Sequence, residues 1–292
     1  MAAAADALTR INLDDLVSAF GWQEYPLPAG ALRLLFNQPA RKFARQMVEF
    51  DAAVGAHGLA EAARRLLRLY VRDVRVFGHA PEAPFLALSN HPGMTDTLAL
   101  FAALGRADLK IIALDRPFLL SLPNVSRELF YVTDDPAERF GLVRRVSAHL
   151  REGCPVLTFP AGRTEPDPRV YPGALESLQA WTDSAGAFVR LVPETVVVPV
   201  LVSGVVWRKI ARLPIVRLRK GRDEQELLAS ALQLLAMLML DLRPVTVKVQ
   251  IGRPISAREL GTRDPQAIQG ALMAGMTGLL ENPPAREGWS AL

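Results

Sequence analysis

The chain has 292 residues, 50% of them hydrophobic and 22% charged, a composition that excludes global disorder and supplies a sizeable core. The formal net charge is only +4, and the single cysteine excludes an internal disulfide framework and a zinc site of several cysteines. Secretion is not expected, because Arg10, Asp14 and Asp15 stand where a signal peptide would be apolar.

The residues before Val74 have a helical pattern. Apolar residues recur at helical spacing in Arg41–Val54 and in Leu59–Tyr70, with arginine and glutamate between them, and strand-like alternation is absent. This part of the chain contains three prolines: Pro26, Pro28 and Pro39. The pattern predicts an N-terminal helical segment over residues 1–73.

From Val74 onward, short apolar runs alternate with helical patterns. The predicted strands are Val74–Phe77, Phe85–Leu88, Leu109–Leu114, Phe130–Val132, Val156–Phe159, Val196–Val202 and Val245–Ile251. The predicted helices are Thr97–Leu104, Pro136–Arg151, Gly173–Thr182, Asp223–Leu240 and Pro265–Glu281, followed by a frayed tail. The alternation predicts an α/β domain over residues 74–292, with a mixed, mostly parallel central sheet flanked by helices. Asp223 is predicted to cap the helix Asp223–Leu240, with Glu226 as its capping-box partner.

The segment Ser89–Asp96 (SNHPGMTD) follows the second predicted strand and precedes a helix. Pro92 and Gly93 predict a turn directly after His91. Such a turn can fold the Asp96 carboxylate back onto the imidazole, giving a histidine base held in one tautomer by a carboxylate. The alternative for His91 is an ordinary structural or capping residue at a strand end.

The sequence Asn90-His91-x4-Asp96 resembles the first motif of the glycerolipid acyltransferase family, which includes lysophosphatidate and glycerol-3-phosphate acyltransferases. Further segments are similar to that family's later motifs and follow in its order: Leu109–Pro123, Phe159–Thr164 (FPAGRT), Tyr171–Ala174 and Val198–Val202. The resemblance covers about residues 74–255.

The resemblance implies transfer of an acyl group from an acyl thioester, acyl-CoA or acyl carrier protein, to a lysophospholipid or related glycerolipid. It makes His91 the general base and Asp96 its orienting partner, with no covalent acyl-enzyme, no cofactor beyond the co-substrate and no metal. The substrate-binding residues expected with it are Asn90, Arg116, Phe159, Pro160, Gly162 and Arg163. Backbone N–H groups near Gly162 are expected to donate to the thioester oxygen.

Two departures from the family's motifs leave the acceptor open. Ala161 replaces a glutamate, and Arg163-Thr164 replaces the order Thr-Arg. Thr133 stands where the second motif has an arginine, so an acceptor phosphate would depend on Arg116 or Arg127, or be absent. Cys154 is expected to be a core residue rather than a nucleophile.

A basic segment, Arg208–Arg222, carries seven cations and no acid. Its interleaved apolar residues predict contact with an anionic membrane surface, and the alternative is a solvated arginine-rich face. No nucleic-acid recognition motif is present. Because no apolar run is long enough to span a bilayer, we expect a cytoplasmic, peripherally attached enzyme. Two other functions stay open: a non-catalytic binder of lipids or acyl chains on the same fold, and a thioester hydrolase.

Overall fold

The computed structural model describes residues 2–21, 26–133, 135–284 and 287–292. These residues form an eight-stranded sheet flanked by helices, which confirms the predicted α/β fold. The strands are β1 (Asp73–Phe77), β2 (Phe85–Ser89), β3 (Lys110–Leu114), β4 (Leu129–Val132), β5 (Val156–Thr158), β6 (Val196–Ser203), β7 (Thr246–Ile251) and β8 (Trp289–Ser290). The helices are α1 (Ala2–Ala19), α2 (Pro26–His57), α3 (Leu59–Tyr70), α4 (Asp96–Leu104), α5 (Pro117–Leu120), α6 (Pro123–Arg127), α7 (Pro136–Arg151), α8 (Ala174–Ser177), α9 (Ser184–Leu191), α10 (Arg208–Ala211), α11 (Pro214–Arg217), α12 (Arg222–Leu240), α13 (Ala257–Leu260) and α14 (Pro265–Glu281).

The sheet has the strand order β4-β3-β5-β2-β6-β7-β1-β8. The first five strands in this order are mutually parallel. Strand β7 is antiparallel to β6 and parallel to β1, and β8 pairs antiparallel with β1. The carboxyl ends of the parallel strands therefore meet at one edge, called here the carboxyl edge, where ligands of open α/β sheets bind. The opposite edge is the amino edge.

Strand β2 lies inside this parallel block, between β5 and β6, and all five of its residues are buried. Phe85 and Ala87 belong to one hydrophobic cluster, whereas Leu86 and Leu88 belong to another, as the two-residue period of a strand requires. The first cluster includes side chains of α2, α3 and α4, and the second includes side chains of α7, α9 and α14. Burial on both faces explains why these strands are continuous apolar runs.

The N-terminal region is helical, as the pattern predicts. Helix α2 continues through Pro39, so this proline does not end it, and Gly58 with φ +79° separates α2 from α3. Met47 and Leu67 from these helices share a hydrophobic cluster with strands of the sheet. The boundary between a helical segment over residues 1–73 and an α/β domain over residues 74–292 stays a prediction.

Two local expectations were wrong, and one helix was not predicted. Helix α12 begins at Arg222 after Gly221, and Glu226 accepts from the Arg222 guanidinium at 2.8 Å instead of capping the helix. Residues near the C-terminus form β8, in which Trp289 pairs with Val76, so the tail is part of the sheet. Helix α9 has no counterpart in the prediction.

In the ranges that the structure describes, no helix is both long enough and apolar enough to cross a bilayer.

Candidate active site

Asn90 directly follows β2, and its side chain continues the hydrogen bonding between β2 and β6. Its Nδ2 donates to the Val202 carbonyl at 2.9 Å, and its Oδ1 accepts from the Val202 N–H at 2.7 Å. The side-chain amide takes the place of a backbone peptide group, which allows the main chain to leave the sheet. Asn90 is 4% exposed, and both polar groups of its side chain are used in these bonds to Val202.

The turn that follows brings His91 and Asp96 into contact. Gly93 and Met94 both adopt left-handed conformations, with φ +82° and +55°, and reverse the chain. His91 Nδ1 lies 2.8 Å from Asp96 Oδ2, and this oxygen also accepts from the Gly93 N–H at 2.8 Å. The other oxygen, Oδ1, accepts from the Thr97 N–H at 2.5 Å and the Thr97 hydroxyl at 3.0 Å.

Burial and charge make this pair asymmetric. The Asp96 side chain is 1% exposed and lies at the first residue of α4, where the helix dipole favours a negative charge. The His91 side chain is 32% exposed. A carboxylate only accepts hydrogen bonds, so Nδ1 carries the proton and Nε2 keeps the lone pair of the neutral ring. The arrangement supplies a base whose tautomer is fixed.

The pKa of His91 is raised above its ordinary value. Burial lowers this pKa. The negative charge of Asp96, the hydrogen bond from Nδ1 to Asp96 and the charge of Glu165 raise it, and together they outweigh the effect of burial. The Phe159 ring lies against the imidazole, with ring centroids 4.4 Å apart and planes inclined by 32°. Phe159 directly follows β5, the strand next to β2, so the sheet brings these two rings together.

Glu165 contacts the backbone of His91, and the sequence does not reveal this contact. The Glu165 N–H donates to the His91 carbonyl at 2.8 Å, and Glu165 Oε2 accepts from the His91 N–H at 3.0 Å. Glu165 Oε1 accepts from Trp181 Nε1 at 2.8 Å and from the Ser177 hydroxyl at 3.0 Å. The side chain is buried, and burial raises its pKa while these hydrogen bonds and His91 lower it. The carboxylate therefore faces His91 and Trp181.

The loop after β5 carries the other residues expected from the third motif. Pro160 is buried, and its carbonyl accepts from the Thr182 N–H at 3.2 Å. The Gly162 N–H donates to the Phe159 carbonyl at 3.0 Å, so this group is already used within the turn. Arg163 is exposed, and no hydrogen bond or ion pair of its side chain occurs among the described residues.

Thr164 connects this loop to the turn at His91. Its methyl carbon would lie 3.5 Å from a Cβ atom built at Gly93. The N–H groups of Arg163 and Thr164 donate to no acceptor in the described part of the chain. Unlike the Gly162 N–H, these two N–H groups are therefore unpaired among the described residues.

The arginines considered as phosphate ligands lie at different edges. Arg116 is exposed and lies two residues after β3, about 10 Å from β2 at the usual strand spacing. It lies near Asp15, whose pKa is raised mainly by burial and lowered in part by the charge of Arg116. Arg127 precedes β4 at the amino edge, where its carbonyl accepts from Lys110, so it is not brought near His91.

Beside Thr133, where the family's second motif has an arginine, lies the guanidinium of Arg139 from α7. Its Nε donates to the Thr133 carbonyl at 2.9 Å. A cation thus occupies this region of the carboxyl edge, although it comes from elsewhere in the sequence. Asp134, which follows Thr133 in the sequence, lies outside the described residues.

No protein-family model matches the sequence, and no curated protein matches it. Among solved structures, the chain is similar to the 1-acyl-sn-glycerophosphate (LPA) acyltransferase, PlsC, from Thermotoga maritima. The TM-score is 0.45 at 18% sequence identity, and the match covers 95% of this chain and 99% of that chain. A similarity at this level assigns neither a family nor an activity to the chain.

Proposed function

We propose that this protein transfers an acyl group from an acyl thioester to the hydroxyl of a lysophospholipid or related glycerolipid. The observation that carries the proposal is the contact between buried Asp96 and half-buried His91, with Nε2 left as the free basic nitrogen at the carboxyl edge. The donor is an acyl-CoA or an acyl carrier protein, and no further cofactor is needed.

In the proposed reaction, His91 Nε2 takes the proton of the acceptor hydroxyl as its oxygen attacks the thioester carbonyl carbon. A new C–O bond forms, and the carbonyl oxygen becomes negatively charged. We assign the stabilisation of that oxygen to the N–H groups of Arg163 and Thr164, which are unpaired among the described residues. When the intermediate collapses, the C–S bond breaks and the thiolate takes the proton from the imidazolium. Asp96 stabilises the imidazolium throughout.

The direct test is release of free thiol by purified protein from an acyl-CoA and, separately, from an acylated carrier protein. Thiol release is expected only when an acceptor from a lysophospholipid panel is present, together with one new ester per thiol. Release without acceptor that still needs His91 would indicate a hydrolase, in which water takes the acceptor's place. Lipid binding without turnover on the whole panel would indicate a non-catalytic binder.

Arg163 is the residue we propose for the acceptor's phosphate. Hydrogen bonds to charged groups contribute about 1.5–3 kcal/mol, so Arg163→Gln is expected to raise the KM of a phosphorylated acceptor about 10- to 100-fold. The kcat should change little. The measurement is initial rate against acceptor concentration at saturating donor, repeated against donor concentration.

The matched control is Arg258→Gln, which removes an exposed arginine of α13 near the amino edge. It should leave both KM values unchanged. A rise in the donor's KM alone would assign Arg163 to the phosphates of the donor, and no change in either KM would remove Arg163 from substrate binding.

Glu165 is proposed to position His91. In Glu165→Gln, the NH₂ group of glutamine must face either the His91 N–H or the Trp181 and Ser177 donors. Since an NH₂ group cannot accept, at least one buried donor loses its acceptor. We expect a loss of about 1–3 kcal/mol in the free energy of unfolding and a fall in kcat of about tenfold or more. Removing the Glu165 charge also lowers the pKa of His91, so the acid limb of the pH–rate profile should move to lower pH.

That pH shift separates positioning of the base from a general loss of stability. Glu176→Gln, at an exposed position of α8 on the same segment, serves as the control and should change neither stability nor the profile. An unchanged acid limb and unchanged kcat in Glu165→Gln would contradict the positioning role.

We further propose that the basic segment attaches the protein to anionic lipid. Ile210 and Val216 are buried against α1, α2 and α12, whereas Ile215 is 50% exposed and Leu218 is 82% exposed. Apolar anchors among arginines are typical of an interfacial segment.

The triple variant Arg212→Gln, Arg217→Gln, Lys220→Gln tests this attachment, because all three residues are exposed. Each cation contributes about 1 kcal/mol near an anionic surface, so we expect about 100-fold weaker partition onto anionic vesicles. Cosedimentation with phosphatidylglycerol-containing and neutral vesicles measures it.

A control variant with the same loss of charge changes three exposed arginines of the amino edge to glutamine: Arg253, Arg258 and Arg263. It should bind anionic vesicles like the wild type. Equal weakening in both triple variants would mean that net charge, not the basic segment, determines binding.

A further inference from the structure

A second cluster of reactive side chains lies at the amino edge of the sheet. Helix α7 ends at Arg151, the chain turns at Gly153 with φ +87°, and β5 begins at Val156. His149, Glu152 and Cys154 lie at this turn, and one ligand atom from each lies within 4.8 Å of those of the other two. Cys154 is partly exposed, so the expectation that it is a core residue was wrong.

We propose that this turn, called here the α7–β5 turn, binds a divalent transition metal, with zinc as the best fit. An imidazole nitrogen, a thiolate and a carboxylate are the three ligand types that zinc accepts. Ligands at zinc bonding distances in a tetrahedral site are about 3.3–3.8 Å apart. Atoms within 4.8 Å of one another must approach by about 1 Å to reach these separations, and the partly exposed turn leaves a fourth position for water.

Backbone hydrogen bonds hold the turn in place without a metal. The Gly153 N–H donates to the Leu150 carbonyl at 3.1 Å, and the Cys154 N–H donates to the His149 carbonyl at 3.1 Å. Arg106 Nη2 donates to the Gly153 carbonyl at 3.3 Å. The ligands therefore come from a rigid segment, which lowers the cost of ordering them on binding.

The hydrogen bonding of His149 suits a metal ligand. Its Nε2 lies 2.9 Å from the Asp108 carbonyl oxygen, and because a carbonyl only accepts, Nε2 carries the proton. The lone pair of the neutral ring is then on Nδ1. A metal-binding histidine typically donates its other N–H in this way, and the contact orients the ring and strengthens its donor nitrogen.

The local charge also favours a cation. The ligands stand at the C-terminal end of the sixteen-residue helix α7, where the helix dipole is negative. The guanidinium of Arg106, which reaches the Gly153 carbonyl, is paired with Asp108 through bonds of 2.8 Å and 2.7 Å. When the metal–sulfur bond forms, the Cys154 thiol releases its proton to solvent, and Glu152 adds a second negative charge.

The site is separate from the proposed acyl transfer. Cys154 and Phe159 stand at opposite ends of β5, about 16 Å apart for five residues of extended chain. Since Phe159 contacts His91, the metal would lie far from the reacting atoms. This proposal therefore does not depend on the proposed function, and it differs from the expectation of no metal from the sequence.

The test uses full-length, untagged protein that has been freed of metal by chelation and is then titrated with Co²⁺ and Zn²⁺. We expect one Co²⁺ per chain, with a thiolate-to-cobalt absorption band and the visible bands of four-coordinate cobalt, all displaced by one equivalent of Zn²⁺. Cys154→Ser should abolish the thiolate band. Cys154→Ser and His149→Gln should each weaken zinc binding about 100-fold or more, and Glu152→Gln about tenfold.

Two histidine variants act as controls. His79→Gln removes a histidine that stacks on Trp289 at the other end of the sheet, and His91→Ala removes the proposed base. Both should bind one zinc with unchanged affinity, so loss of transfer and loss of metal are separable. Circular dichroism and thermal unfolding without metal establish that each variant is folded. Absence of a thiolate band in the wild type, binding only at millimolar metal, or unchanged stoichiometric binding in Cys154→Ser would overturn the proposal.

Discussion

Replacing His91 with alanine is expected to lower the kcat for acceptor-dependent thiol release by about 10²–10⁴-fold, with little change in either KM. A positioned general base contributes a factor of this size, and the variant removes the nitrogen that accepts the hydroxyl proton. The side chain is only 32% exposed and packs against Phe159, so thermal unfolding of the variant is compared with that of the wild type. The measurement is thiol release and ester formation at saturating donor and acceptor.

The acid limb of the wild-type pH–rate profile provides a second readout of the same base. His91 acts only when neutral, and its pKa is raised above the ordinary value near 6.5. The rate should therefore rise through a pKa above about 6.5, and this limb should be absent from the residual rate of His91→Ala. His79→Gln should keep the full rate and profile. Full acceptor-dependent activity in His91→Ala would eliminate the proposed mechanism.

The strands and the turn at His91 could be predicted because their signals are local. The runs Phe85–Leu88 and Val196–Val202 are apolar because β2 and β6 are covered on both faces. Pro92 and Gly93 mark the reversal, and Gly93 adopts the left-handed conformation that glycine favours. The sequence signal for each feature thus lies within eight residues of chain.

The supports of the site could not be predicted, because they join residues that are far apart in sequence. Glu165 reaches the backbone of His91 across 74 residues, and Asn90 pairs with Val202 across 112 residues. No periodicity marks such contacts, since they arise only when neighbouring strands are assembled. Strand β8 was missed for the same reason: two residues have no pattern, and their pairing with β1 depends on the finished sheet.

Asp96→Asn is expected to lower kcat by about 10²–10⁴-fold, a loss comparable with that of removing the base. The Asp96 carboxylate accepts from four donors, two at each oxygen. An asparagine amide can accept at only one of these positions. If its NH₂ group faces His91, Nδ1 must accept and the proton moves to Nε2, which can then no longer act as the base. If its NH₂ group faces Thr97, two donors there lose their acceptor.

The pH dependence distinguishes this loss from simple misfolding. Without the Asp96 charge, the pKa of His91 falls, since both the charge and its hydrogen bond raise it. The acid limb of the residual rate should therefore move to lower pH, whereas misfolded protein would lose amplitude without a shift. The matched control is Asp264→Asn at the start of α14, where Asp264 Oδ2 accepts from the Ala267 N–H at 3.2 Å. Asparagine caps helices as well as aspartate does, so this variant should keep stability, rate and profile. An acid limb that stays in place in Asp96→Asn would mean that the carboxylate does not act on His91, and the pair would then be structural.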